Sequence, residues 1–243
     1  MMRLGAARVG SDLRLVAPLP GQPHRLVDLH AVETVRLAKL GEGRPEALAG
    51  ALVPPSLPDL LAGGSRALAR ARQALAYAEK WERRGGLPAD LEVPAGALIA
   101  WVPSVLRTLE GRRLEAGALL SPRQALPGRP QASLCLVGTG TPGAVGFRLA
   151  LLGEGRLRLS PWLALELAGP LQLSVAGHRR KVAPEVWEGL DLPGLAPDEH
   201  LLLPAPKLRP WPSLPKGAPI DLRWGDERLQ AVLARGLEHP TLQ

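Results

Sequence analysis

Gln131 and Ser133 stand immediately ahead of a continuous apolar run, Leu134-Cys135-Leu136-Val137, that stops at Gly138. A run this short suits a strand covered on both faces, because a helix of that length does not sustain itself. An active site can sit at such a strand. Its polar positions carry no charge, however, so they point neither to a metal nor to a general base. Cys135 is the only cysteine, which excludes an intrachain disulfide and zinc sites built from several thiolates. Inside an apolar run it reads as a small buried hydrophobe rather than a nucleophile.

The same strand leads into Gly138-Thr139-Gly140-Thr141-Pro142-Gly143, which satisfies the G-x-G-x-x-G pattern of dinucleotide enzymes. Phosphate binding there requires a helix whose first amides meet the pyrophosphate. The chain instead continues through Gly146 into apolar segments at 147–152 and 157–159 around Gly153-Glu154-Gly155, a hairpin pattern. A plain glycine turn is the better account. His24, His30, His178, His200 and His239 are far apart, with no metal-ligand spacing among them. No G-x-S-x-G elbow or Walker lysine is present. His178-Arg179-Arg180-Lys181 is the densest basic cluster, read as an exposed hairpin tip rather than an anion site. The 6 Trp residues, beside one Phe and one Tyr, read as anchors of the core or of a subunit contact. They form no ladder of the kind that stacks on single-stranded nucleic acid.

The elements around this strand are set by punctuation and period. Residues 4–9 and 13–16 read as short strands split by Gly10-Ser11-Asp12, and a third resumes at 25–29 after a Pro/Gly interruption. Residues 31–40 predict a helix ended by Gly41 and Gly43. Leu57, Leu60, Leu61, Leu68, Ala71, Leu75, Ala78 and Trp81 recur at helical spacing, with Arg66, Arg70, Gln73, Glu79 and Arg83 opposite. Gly63-Gly64-Ser65 splits this region, with Ser65 expected as the N-cap of the longer helix. The arginine-bearing face reads as solvated surface. Gly85-Gly86-Leu87-Pro88 ends the helix and marks the expected boundary between an α+β part, residues 1–86, and a β part, residues 87–243. Strands are expected at 97–102, 134–137, 147–152, 157–159, 171–175, 200–203 and 220–224. The proline-dense stretch 204–219 reads as an ordered loop, because Trp211 within it calls for burial.

With 243 residues and 46% hydrophobic content, the chain can bury one substantial core or a small domain packed on a larger one. No apolar run approaches the roughly 18 residues of a membrane span. The amino terminus lacks the apolar block of a signal peptide, so a cytoplasmic protein is expected. The net charge of +7 permits an acidic partner, but the arginines are scattered and asparagine is absent, a composition that suggests a heat-adapted source.

The order of segments resembles the fumarylacetoacetate hydrolase family. The resemblance is carried by the strand pair, Leu26-Val27-Asp28-Leu29, a Leu-Pro-x-x-Leu-Leu sequence at Leu57-Pro58-Asp59-Leu60-Leu61 and the alanine-rich helix after it. Farther on, Ser160-Pro161-Trp162-Leu163 is similar to that family's Gly-Pro-Trp-Leu segment, and residues 169–179 to the two-stranded turn beyond it. The resemblance implies a mostly β protein with a small α+β amino-terminal cap, a mixed β-sandwich or barrel, usually a homodimer. It also implies a Mg2+, Mn2+ or Ca2+ ion held by one Glu, a Glu-x-Glu strand and a later Asp, for work on dicarbonyl acids. Such hard ions require oxygen ligands.

The chain departs from that pattern where it matters. Gln131-Ala132-Ser133 stands at the Glu-x-Glu position, and 147–153 holds no Asp. Pro103-Ser104-Val105-Leu106-Arg107-Thr108-Leu109-Glu110 is placed against Asn-Tyr-x-x-His-x-x-Glu, leaving Glu110 and putting Arg107 where a histidine base is expected. Arginine stays protonated and takes no proton at neutral pH. Residues 139–146 also resemble a loop found near the end of family members. Both placements cannot hold, and the earlier one keeps the Pro-Trp-Leu segment in order.

The resulting expectation is a family member with a dismantled metal site, marked by Arg107, Glu110, Gln131 and Ser133, with no metal. It would act as a homodimer, as a partner of a catalytic paralogue, or as a binder of small organic acids through basic groups such as Arg107. One alternative is a working metal-dependent enzyme with Glu110, Glu154 and Glu166 converging. The other is a basic nucleic-acid-binding protein whose affinity falls steeply with salt.

Overall fold

A computed structural model of the chain describes residues 2–99, 101–121, 123–140, 145–166, 169–183, 194–206, 211–225 and 227–237. Three antiparallel strands open it, β1 (Arg3–Val9), β2 (Asp12–Leu19) and β3 (Gln22–Asp28). Their turns put Gly10 and Gly21 at positive φ, which glycine adopts without a Cβ penalty. Asp28 ends β3 and caps α1 (Leu29–Lys39), accepting from the Ala31 amide at 3.0 Å. This helix begins a little earlier than its periodicity predicts. A short α2 (Pro45–Leu52), not anticipated from the sequence, comes next, with Pro45 in its first turn.

α3 (Leu57–Ala62) and α4 (Gly64–Gly85) realise the long apolar stripe. Its members from Leu57 to Ala78 are buried against β1, β2 and α1, and Trp81 is half-buried. The split falls at Gly63, as the glycines predict. Gly64 turns the chain at φ 62, α4 starts there, and Ser65 therefore lies inside the first turn instead of capping it.

Beyond Gly86 come β4 (Glu92–Val93), β5 (Leu98–Ile99), β6 (Val105–Thr108), β7 (Gln131–Gly138), β8 (Val145–Gly153), β9 (Arg156–Leu159) and β10 (Trp162–Ala164). They are followed by β11 (Leu171–Val175), β12 (His178–Val182), β13 (Glu199–Leu202), β14 (Pro219–Trp224) and β15 (Glu227–Val232). An 11-stranded sheet runs β4-β3-β2-β1-β10-β8-β7-β13-β6, with β5 on β1 and β9 on β8. Residues on both sides of Gly86 share it, through the β1–β10 and β3–β4 pairs. The second sheet is β12-β11-β14-β15.

The two sheets bury a common core. Ala132, Leu134 and Leu136 of β7 join Leu149 and Leu151 of β8 against Leu173, Ile220, Leu222 and Trp224. At about 25 cal/mol per Å² of apolar surface removed from water, this alternating inner face is what holds the layers together. The architecture is the mostly β fold with a small helical part that the sequence predicts. Several details differ. Of the stretch 97–102, the described strand is β5; β4, β6, β10 and β15 were not anticipated; and His178-Arg179-Arg180-Lys181 forms a strand whose hairpin tip is Ala176-Gly177. Trp211 is buried as expected, its indole donating to the Pro130 carbonyl at 3.0 Å. Trp187 and His239 lie outside the described residues.

Candidate functional site

β7 and β8 form a hairpin in the register Gln131↔Leu152, Ser133↔Ala150, Cys135↔Arg148. β13 flanks β7, pairing Leu202 with Cys135, and β6 lies parallel to β13 with Thr108 opposite Leu202. Because a strand alternates its side chains, Gln131, Ser133 and Cys135 share the face away from the inter-sheet core. At the far end of β7 the backbone of Ala196 crosses so closely that a β-carbon on Gly138 would collide with the Ala196 carbonyl. Gly140, at φ 67, packs likewise against the Leu61 carbonyl of α3. These glycines serve close backbone packing. The chain re-enters as strand β8 at Val145, so the helix start that phosphate binding needs is not found there; Thr141, Pro142, Gly143 and Ala144 lie outside the described residues.

At the opposite end of this face lies a cavity of about 480 Å³ whose wall includes Thr108, Arg112, Arg129, Gln131, Glu154 and Arg156. That volume is in the range of small-molecule sites. Arg156 donates to the Gly117 carbonyl. Among the described residues, no carboxylate lies within 4 Å of Arg112 or Arg129. Glu154 and Gly155 form the two-residue β8–β9 turn with φ 44 and 73, a type I′ geometry that places on the turn the only wall carboxylate among the described residues.

Of the four residues singled out from the sequence, Gln131 alone lines this cavity. Ser133 is fully buried, and its hydroxyl donates to the Leu203 carbonyl at 2.7 Å, stapling β7 to the chain beyond β13. Arg107 points to the side of β6 opposite Thr108, its Nε 2.7 Å from Glu199 Oε1. Glu110 is exposed in the turn after β6; Thr108, then its own backbone amide, hold its carboxyl below the ordinary range. Glu166 is on the surface, 3.9 Å from Arg72, so Glu110, Glu154 and Glu166 do not converge. Among the described residues, no three His, Cys, Asp or Glu side chains are grouped so as to hold a metal.

The sequence reading missed a buried polar network on the same face. Arg148 is fully buried in β8 and donates through Nε to the Ser160 carbonyl at 2.9 Å and through Nη1 to the Trp101 carbonyl at 3.1 Å. Its guanidinium lies 4.8 Å over the Trp101 ring, and Nη1 is 3.0 Å from His200 Nε2. Burial, then the neighbouring Arg148 charge, push His200 well below its usual pKa. A neutral imidazole results, with Nε2 accepting from Arg148 and the proton on Nδ1, which donates to the Asp198 carbonyl at 3.1 Å. Burial lowers Arg148 to about 10 and raises Cys135 to about 12, so the thiol is inert. Below Ser160, Glu227 is buried at 1% exposure, accepts from the Ser160 hydroxyl, and is pushed by burial up to about 7. The signal for this network was a lone arginine amid the apolar residues of 147–152.

No family model matches the sequence, and no curated protein matches it. Among solved structures, the fold is similar to a fumarylacetoacetate hydrolase (EaFAH) from psychrophilic Exiguobacterium antarcticum. The superposition covers 97% of this chain and 100% of that one, with a TM-score of 0.53 at 11% sequence identity. The chain therefore has a fumarylacetoacetate hydrolase-like fold.

Proposed function

We propose that the chain is a divergent fumarylacetoacetate hydrolase-family protein that does no metal chemistry, and that it binds a small organic acid in the arginine-lined cavity as a non-catalytic partner or regulatory subunit. The observation that carries this reading is the wall itself. Arg112, Arg129 and Arg156 surround Gln131, the residue standing where the resemblance expects the first Glu of Glu-x-Glu. Guanidinium groups without carboxylate partners recognise carboxylates in a planar, bidentate fashion. A divalent cation does not fit this donor set. Gln131 is neutral, the Ser133 hydroxyl is spent on Leu203, and the surrounding arginines repel a cation. Arg107, already matched with Glu199, plays no part in the pocket.

Thermal unfolding of the purified chain tests the reading, with malonate and pyruvate titrated at constant ionic strength and magnesium, manganese and calcium in parallel. The acids stabilise saturably, by about 2.7 kcal/mol at a hundredfold excess over Kd, and Arg129→Ala reduces the effect. Saturable stabilisation by a divalent ion would overturn the dismantled-site reading. Absence of any response to the acids would overturn the binding reading.

A further inference from the structure

We propose a second oxyanion site, on the outer face of the four-stranded sheet and separate from the cavity at Gln131, built around Arg158. Arg158 is 6% exposed. Its Nη1 donates to the Gln230 carbonyl at 2.6 Å, and its Nη2 to the carbonyls of Ser121, at 3.0 Å, and Gln124. Its Nε has no partner, and among the described residues no carboxylate lies within 4 Å. Burial alone lowers its pKa, with no acidic group opposing. A buried guanidinium is ordinarily neutralised by an ion pair, and main-chain dipoles satisfy its N–H groups without cancelling its charge.

Two cavities, of about 510 and 300 Å³, open against Arg158, and both also include Arg228 and Gln230 in their walls. The larger adds Arg123, Gln124 and Asp221. Asp221 is already committed, 2.7 Å from Arg223 Nε and 2.6 Å from Arg228 Nε. Burial pushes its carboxyl up, but Arg228 and Arg223 outweigh that and hold it below the ordinary range. The larger cavity thus carries Arg123, Arg158 and Arg228 against one carboxylate that two arginines share. Its missing component is negative charge. Ser174, Asp221 and Gln230 lie in one row across β11, β14 and β15, so the floor is rigid sheet bearing two neutral hydrogen-bonding groups beside the shared carboxylate. The ligand class is a small oxyanion, phosphate or carboxylate. Arg123 and Arg228 grip it, while Arg158 acts from beneath as a positioning charge whose Nη groups stay with the chain.

The test is amide chemical-shift mapping of the full chain titrated with inorganic phosphate and, separately, malonate, against sodium chloride at equal ionic strength. Saturable shifts are expected at Asp221, Gln230 and Arg123. Arg123→Ala weakens binding at least tenfold, and Arg129→Ala in the other cavity leaves it within twofold. Arg158→Gln probes the buried charge, and if it does not fold, Arg123→Ala and Arg228→Ala carry the test. Shifts that chloride reproduces, that fail to saturate, or that Arg129→Ala removes would overturn the second site. If this site binds while malonate produces no saturable shifts at Gln131 and Glu154, only the reading of the Gln131 cavity fails.

Discussion

Glu227 gives the sharpest forecast. It opens β15, faces the core between the sheets, and has Oε1 on the Ser160 hydroxyl and Oε2 without a partner. Burial raises its pKa from the ordinary 4.5 to about 7, more than the Ser160 hydrogen bond and the charges of Arg3 and Arg148 lower it. Between those two values the folded chain keeps a proton that the unfolded chain has released. Stability therefore falls as pH rises through this window, and the stabilising contribution is fully present only at acid pH. At 1.36 kcal/mol per pH unit, the rise amounts to about 3 kcal/mol. Glu227→Gln removes the ionisation while keeping an acceptor for Ser160. At Oε2 both the protonated acid and the amide place an N–H or O–H without a partner, so the two proteins differ by less than about 1 kcal/mol near pH 5. By pH 8.5 the variant is the more stable by about 3 kcal/mol, which for a chain of this size is roughly 6–12 °C in Tm. Urea or thermal unfolding of both proteins from pH 5 to 9 reads the difference, in which unrelated titrations cancel. A difference that stays flat with pH, or that turns against the variant at high pH, would show that Arg3 and Arg148 stabilise the carboxylate more than burial disfavours it.

The hairpin that carries Gln131 supports two further forecasts. Gly138→Ala drives a methyl group into the Ala196 carbonyl, which belongs to backbone and cannot swing away, and lowers stability by about 1–3 kcal/mol in denaturant unfolding. Glu154→Gly relieves a residue held at φ 44, where a side chain costs about 1 kcal/mol, and removes the wall's carboxylate. The variant therefore loses no stability and binds malonate more tightly by calorimetric titration, and weaker binding would contradict the anion reading.

Elements whose cause is local were legible in the sequence. The stripe from Leu57 to Ala78 predicts α3 and α4 because each apolar residue meets the same core, and 134–137 predicts β7 because both faces are covered. Trp211 predicts its own burial. Ser65 misled because Gly63 and Gly64 turn the chain two residues earlier than a serine cap requires. The candidate sites were legible only in part, because their partners meet through the fold. Arg148 joins Trp101 and His200 from 47 and 52 residues away, and Ser160 reaches Glu227 across 67. Arg112, Arg129 and Arg156 look like scattered composition until the β8–β9 hairpin brings them to one cavity.

The geometry of β7 keeps the residues that hold the sheets together apart from those on the cavity side. Ala132, Leu134 and Leu136 face the inter-sheet core, whereas Gln131 and Ser133 face the other way. Changes at Gln131 and Ser133 thus leave the packing between the sheets untouched. At this buried position a serine can spend its hydroxyl on a main-chain carbonyl, where a carboxylate, which only accepts, could not. Ser133 gains a bond to Leu203 that a glutamate at this buried position could not make. Ser133 is therefore committed to structure, and under the proposed function ligand choice in the cavity falls to the arginines of its wall.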